Sequence, residues 1–284
     1  MAEGPDSKLK RNNSMKKYPL ANTVILSVLT LIAYIPTFIW MVQRWIEKDT
    51  YYSHGFLVLP ISLFIVWLKR ESLSTLEIKP LPAGWVFFIC GITVHAISAL
   101  LRVYFSSGFS LLFVIAGMVL LFLGKDYLKQ LMFPILFLLF MLPLPLVAIA
   151  NISFRLKIFA AAVSTHIINA MGIPAVRDGS VIKTMHAYLV VEDPCSGIRS
   201  LIALIALGAL MAYFSNISRA RKMVLFLSSI PIAVATNIIR IVSLGLVSEI
   251  YGPKYATGVF HDTMGILIFV IAFFALSLIA KLLE

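Results

Sequence analysis

Three side chains of complementary chemistry stand far apart in this sequence, each beside or within an apolar run: Cys195, Arg240 and His261. A thiol attacks as its thiolate. Cys195 lies where a polar-rich stretch gives way to a predicted helix, and the unsatisfied N–H groups and dipole of a helix amino terminus favour an anion. An imidazole at His261 could take the thiol proton and later give it to a leaving amine. The Arg240 guanidinium stays protonated and so is no general base, but its donors could stabilise the thiolate or the oxyanion formed at a carbonyl under attack. Each residue also has a plainer reading. A cysteine at a helix start is often structural, an arginine near a helix end can snorkel to headgroups, and Asp262-Thr263 could cap the last helix with His261 only beside it.

Three further residues could support the first three. Asn237 and Arg240 are three apart in a strongly apolar run, which puts them on one helix face. Arg199 follows the cysteine into the next helix, where Glu192 and Asp193 could orient it; those carboxylates could equally recognise a basic group or, close to the thiol, raise its pKa. His54, beside Gly55, lines the same mouth or sits among headgroups, while His95 and His166 read as packing or interface residues. There is no HExxH motif, and Cys195 with His261 cannot supply three protein ligands, so no metal, nucleotide or other cofactor is expected. Cys90, set among Phe87, Phe88, Ile89 and Ile92, is lipid- or core-facing, and two cysteines indicate no disulfide framework.

The elements that must position these residues are membrane helices. Sixty per cent of the residues are apolar and 13% charged, against 45–50% and 25% in ordinary soluble domains, so the excess must face lipid. The net charge of +11 is scattered between apolar runs, where it sets topology; no nucleic-acid partner is expected. Apolar runs occupy about 20–42, 55–68, 83–101, 109–124, 131–150, 198–214, 223–247 and 264–283, with Pro231 a predicted kink. At roughly 20 residues per crossing this predicts an all-α polytopic membrane protein of about eight transmembrane helices. Residues 151–172, carrying Arg155, Lys157, His166 and Asn169, are less uniform: one further interfacial or re-entrant helix is the first reading, and a tilted crossing helix in place of another weak run is the alternative.

Residues 1–19 read as a basic cytoplasmic tail, and 20–283 as a single membrane-embedded domain without a separate soluble module. Basic residues in short loops stay on the cytoplasmic side. Lys69, Arg70, Lys79, Lys125, Lys129 and the cluster Arg219, Arg221 and Lys222 therefore belong inside, and these placements agree if 151–172 does not cross. Cys195 would then open a helix from outside, Arg240 close one returning there, and His261 immediately precede the last inward helix. The loop 173–195, with an extended stretch or hairpin at 181–191, lies on that outer face.

The stretches carrying these residues resemble the exosortase family of bacterial membrane proteins, which is related more distantly to archaeosortases. They are Tyr52-Ser53-His54-Gly55 with the run to Pro60, Val190 to Arg199 through Pro194-Cys195-Ser196-Gly197, Asn237-Ile238-Ile239-Arg240-Ile241, and Phe260-His261 with Gly265 beyond. Pro194 departs from the small residue many members carry there, which bears on substrate fit rather than on the nucleophile. The resemblance implies a cysteine protease or transpeptidase of the bacterial inner membrane, with Cys195 as nucleophile and Arg240 and His261 completing the site. It also implies the substrates: exported proteins with a carboxy-terminal sorting signal made of a Pro-Glu-Pro-like motif, an apolar span and a basic tail. A thioester acyl-enzyme would pass to water or to an acceptor, such as a cell-envelope or polysaccharide-related group. The competing reading of the same polar mouth is a transporter or membrane assembly factor.

Overall fold

A computed structural model describes residues 20–47, 50–191, 197–256 and 258–284. The basic tail lies outside the described residues, as does Cys195. In chain order the elements are α1 (Leu20–Ile46), α2 (Gly55–Leu68), α3 (Arg70–Ser74), α4 (Gly84–Leu100), α5 (Tyr104–Phe122), α6 (Lys125–Phe137) with a 3-10 turn (Leu138–Met141), and α7 (Leu146–Ala170). Then come β1 (Val176–Asp178), β2 (Val181–Lys183), β3 (Tyr188–Val190), α8 (Ile198–Phe214), α9 (Arg219–Tyr251), a second 3-10 turn (Pro253–Ala256) and α10 (Val259–Leu283). Among the described residues the protein is all-α apart from this one small sheet, which falls where an extended stretch was expected. Helices α1, α5, α7, α9 and α10 are long and apolar enough to cross a membrane, and α2, α4 and α8 are shorter apolar helices. Many of their large apolar side chains point outward, as lipid-facing helices require: Leu29, Leu63, Val86 and Phe274 are each more than half exposed.

The chain forms two compact units, 1–143 and 144–284. In the first, α4 and α5 pack backbone to backbone. A Cβ at Gly117 would stand 2.6 Å from the Phe88 nitrogen, and one at Gly84 2.7 Å from the Gly117 carbonyl oxygen. Small residues at such a contact let two membrane helices gain close van der Waals packing. Polar groups close on one another between helices. The Tyr34 hydroxyl bonds Ser110 at 2.7 Å, Thr37 bonds Ser107 at 2.6 Å, and His95 Nδ1 meets the same Ser107 at 2.8 Å. The segment 125–141 runs antiparallel to α2, since Lys69 Nζ donates to the Gln130 carbonyl at one end and the Phe140 carbonyl meets His54 at the other.

The second unit holds four helices in alternating directions. Along α9, Leu225 packs with Ala212 of α8 and Leu276 of α10. Ala233 packs with Leu204 and Ala272, and Gly265 of α10 lies against Arg240, so α8 and α10 both run antiparallel to α9. Ala160 and Ile168 of α7 join Ile238, Ile241 and Leu244 in one core. The end of α7, the start of α8, the end of α9 and the start of α10 therefore share one end of the unit. The sheet, in order β1-β2-β3 and antiparallel throughout, covers part of that end, with Ile182 and Leu189 packed into the same core.

Several expected boundaries move. The break foreseen near residue 150 falls at 142–145, where Pro143 and Pro145 each bias the preceding residue away from the α region. Residues 151–170 are then no separate element but continue α7, a single helix of 25 residues that is long and apolar enough to cross. Helix α9 continues to Tyr251, so Arg240 lies within it rather than closing it. Helix α10 starts at Val259, which puts His261 and Asp262 inside its first turn, with Gly258 in the capping position foreseen for Asp262-Thr263.

Candidate active site

The shared end of the second unit is built on two close contacts to α9. Gly197, two residues after Cys195, has φ +80, and a Cβ there would stand 2.8 Å from both Cγ and Nδ2 of Asn237. Only glycine adopts this left-handed turn without strain while letting a side chain approach so near. Its carbonyl accepts from the Leu201 N–H at 2.8 Å and from the Ser200 hydroxyl at 2.9 Å, which fixes the first turn of α8. Asn237 is almost fully buried beneath it. One turn further along the same face of α9 is Arg240, partly buried.

The second contact joins Arg240 to α10. The guanidinium lies against Gly265, with Nη2 and Cζ 3.8 and 3.9 Å from the point a Cβ would occupy. Position 261 lies one turn before Gly265 on the same face of α10, since residues four apart align along a helix; the side chain of His261 is outside what the structure describes. Arg199 is partly buried in the first turn of α8. The structure thus brings Asn237 against Gly197, two residues after Cys195, and Arg240 against Gly265, one helical turn after His261. Leu156, Ala160, Leu201, Ala233 and Val234 line a small pocket under Gly197 and Asn237. Among the described residues, the Asn237 amide is its one polar lining side chain.

His54 belongs to the first unit. It precedes α2, stacks loosely with Tyr52 at 5.9 Å between ring centroids, and has its Nε2 buried without a hydrogen-bond partner. Burial holds its pKa below the ordinary histidine value, and the Phe140 carbonyl opposes that shift. His95 packs within the first unit, as foreseen, stacked on Tyr34 at 4.0 Å. Cys90 is exposed on an apolar helix, as a lipid-facing thiol would be. Among the described residues, no cluster of His, Cys, Asp and Glu could hold a metal ion.

One polar cluster escaped the sequence reading. Glu249, near the end of α9, accepts hydrogen bonds from the Thr184 hydroxyl, from the His186 N–H at 3.1 Å and from His186 Nδ1 at 2.8 Å. A carboxylate in the last turn of a helix opposes the helix dipole. Here three bonds offset that cost and pin the β2–β3 turn to α9. The partners are more than sixty positions apart in sequence, and no local pattern announces them. On the outer face of the sheet, Lys183 bonds Asp178 at 2.8 Å and holds that carboxyl below the usual carboxylate range.

No curated protein and no solved structure matches the chain. The family model described as Transmembrane exosortase (Exosortase_EpsH) matches residues 45–278. That span is well over half of the chain and takes in the stretches around His54, Cys195, Arg240 and His261, and the chain therefore belongs to the transmembrane exosortases, a family of membrane protein-sorting enzymes.

Proposed function

We propose that this chain is a membrane cysteine transpeptidase, or a peptidase where water is the acceptor, acting on carboxy-terminal sorting signals of exported proteins. The observation that carries the reading is the pair of contacts Gly197 to Asn237 and Arg240 to Gly265, because it draws α8, α9 and α10 together next to Cys195 and His261 in a chain of this family. The Cys195 thiolate adds to the carbonyl carbon at the scissile bond, and Arg240 stabilises the resulting oxyanion. The C–N bond then breaks, the leaving amine takes its proton from His261, and a thioester remains on Cys195. An amine or hydroxyl of the acceptor, or water, gives a proton to His261 and attacks the thioester, restoring the thiol. No oxidant, metal or nucleotide enters this balance.

The substrate's own apolar span would hold its scissile bond at the membrane surface, replacing a search in solution by one in the bilayer and raising the effective concentration. Working at the outer face of a bacterial inner membrane, the enzyme would meet exported chains and any cell-envelope or polysaccharide-related acceptor. Asn237 and Arg199 would support the site by fixing the start of α8. The deciding experiment expresses the wild type and Cys195→Ala with a substrate carrying a Pro-Glu-Pro-like motif, an apolar span and a basic tail. Processing should vanish in the variant while membrane insertion persists. Intact processing by Cys195→Ala would overturn the enzyme and leave a transporter or assembly factor.

A further inference from the structure

The small sheet ends in an open edge directly upstream of the proposed nucleophile. Strand β2 is central and β3 is an outer strand, and among the described residues nothing pairs with the far side of β3. Its hydrogen-bond phase follows from two flanking bonds. The Val191 N–H donates to Ser180 at 3.0 Å, and the Thr184 N–H donates to Ala187 at 2.9 Å. In an antiparallel ladder the backbone polar groups alternate in direction. Those of Ala187, Leu189 and Val191 therefore turn to β2, and those of Tyr188 and Val190 turn to the open edge. The side chain of Leu189 packs toward Gly245 of α9, whereas Tyr188 and Val190 are 65% and 49% exposed.

An exposed edge of this kind is a hazard that proteins ordinarily shorten, charge or cover. This edge is short, three residues, and it is also held firm. Glu249 clamps the β2–β3 turn through Thr184 and His186, and Val191, just past the strand, is 2% exposed in the core with Ile182. An edge fixed in advance can add a strand without first losing its own conformational freedom. Cys195 is five residues past Val190, a reach of at most about 18 Å along an extended chain. The edge thus lies just upstream of the proposed nucleophile in the chain.

We infer that the free edge of β3 binds an extended segment of the polypeptide substrate by strand addition, with the N–H and C=O groups of Tyr188 and Val190 pairing with the substrate backbone next to its scissile bond. This rests on the proposed peptidase reading and adds to it where and in what conformation the substrate is held. Backbone pairing supplies affinity that is largely indifferent to sequence, while the exposed Tyr188 and Val190 side chains meet alternate substrate residues. One peptidase could then serve exported proteins that share little beyond a short motif. The occupant is a non-helical stretch; a substrate that stays helical up to its cleavage site is excluded.

The test uses the full-length enzyme in detergent micelles with the sorting-signal protein described above. Val190→Pro deletes one outward N–H and no bond to β2, and an edge strand tolerates proline with that orientation. It should raise KM roughly five- to tenfold with kcat little changed, the effect of one hydrogen bond. Val190→Ala keeps the N–H and loses only side-chain contact, so it should raise KM clearly less than Val190→Pro does. Arg177→Pro makes the equivalent change on the opposite edge, because Arg177 faces away from β2 in the β1–β2 register, and it too should leave KM unchanged. Should Val190→Pro disturb folding, a second measurement decides: a photo-crosslinking amino acid at position 190 in a Cys195→Ala background should capture the intact substrate, and one at 177 should not. Equal capture at both positions, capture of a second enzyme copy instead of substrate, or no capture at 190 overturns the inference. Wild type and Cys195→Ala run in parallel keep the two claims apart: processing that survives loss of the thiol refutes the peptidase, whereas a thiol-dependent enzyme indifferent to Val190→Pro and uncaptured at 190 refutes only the strand.

Discussion

The two units treat buried polarity in opposite ways. In the first, hydroxyls and an imidazole within the helices close on one another: Tyr34 with Ser110, and Thr37 and His95 with Ser107, all at 2.6 to 2.8 Å. In the second, Asn237 and Arg240 within α9 and Glu249 in its last turn are met by other elements: Gly197 just before α8, Gly265 of α10 and the β2–β3 turn. Hydrogen bonds between membrane helices join them at modest gain, and a group satisfied inside the bundle has little left to offer a ligand. Ionisable groups among membrane helices are costly to keep in lipid and are therefore expected to carry function. Polar content alone does not separate the two units; where the polar groups sit and what meets them does.

If that contrast is right, the largest effect after loss of the thiol itself belongs to Arg240. Arg240→Ala should lower processing by about 10²–10³-fold, the usual consequence of removing one donor to a developing oxyanion. Arg240→Lys keeps the charge but not the forked, planar donors. An intermediate rate for lysine would assign most of the effect to charge, and a rate equal to alanine's would assign it to donor geometry. Normal processing by Arg240→Ala, with expression unchanged, would remove arginine from the chemistry and with it the main asymmetry between the units.

A smaller effect is expected at Gly197. Alanine there must hold φ +80 and place its Cβ 2.8 Å from the Asn237 amide, so either the turn before α8 or Asn237 shifts. Strain of this kind costs on the order of 1–3 kcal/mol. Gly197→Ala should slow processing about tenfold or more while moving the thermal unfolding midpoint of the purified protein only slightly. Gly172→Ala provides the comparison, since that glycine also has positive φ, +86, but nothing lies within 4 Å of a Cβ there. Equal activity loss in both variants would show that backbone strain, and not the contact with Asn237, is what matters.

How far the sequence announced this arrangement depends on the range of the interaction. Helices α2 and α8 begin and end where their apolar runs do, because lipid exposure imposes an uninterrupted run and the flanking Lys69 and Ser215 end it. The turn at 142–145 was misplaced because Arg155 and Lys157 looked like the stronger interruption, although long basic side chains reach headgroups from within a helix and two prolines do not continue one. The run 223–247 already carried α9 past Arg240; what it left out is the last turn with Glu249, whose partners Thr184 and His186 are remote in sequence. The grouping of Arg240 with Asn237 was visible as a spacing of three, and the chain order of helices put the ends near 195 and 261 on one side. That Gly197 touches Asn237 and Gly265 touches Arg240 was not legible, since each depends on how deeply two remote helices pack.

The smallest expected effect tests the other half of the contrast, that the polar cluster of the first unit only binds helices together. Thr37→Val replaces a hydroxyl by a methyl of similar size and breaks the 2.6 Å bond to Ser107, while Ser107 keeps its bond to His95 Nδ1. No charge is stranded, and the remaining acceptor is not left alone. Interhelical hydrogen bonds measured in this setting average about 0.6 kcal/mol, so the unfolding free energy in mixed micelles should fall by about that amount. Processing of the sorting-signal substrate should be unchanged, because a fully packed pair of helices loses only one of several contacts. His95→Phe in the same assay keeps a ring to stack on Tyr34, 4.0 Å away, and gives up the bonds to Ser107 and to the Ala33 backbone. If either variant lost processing tenfold while its unfolding free energy moved by less than the expected amount, the cluster would be serving the reaction, and polarity closed on itself within the helices could no longer be read as structure alone.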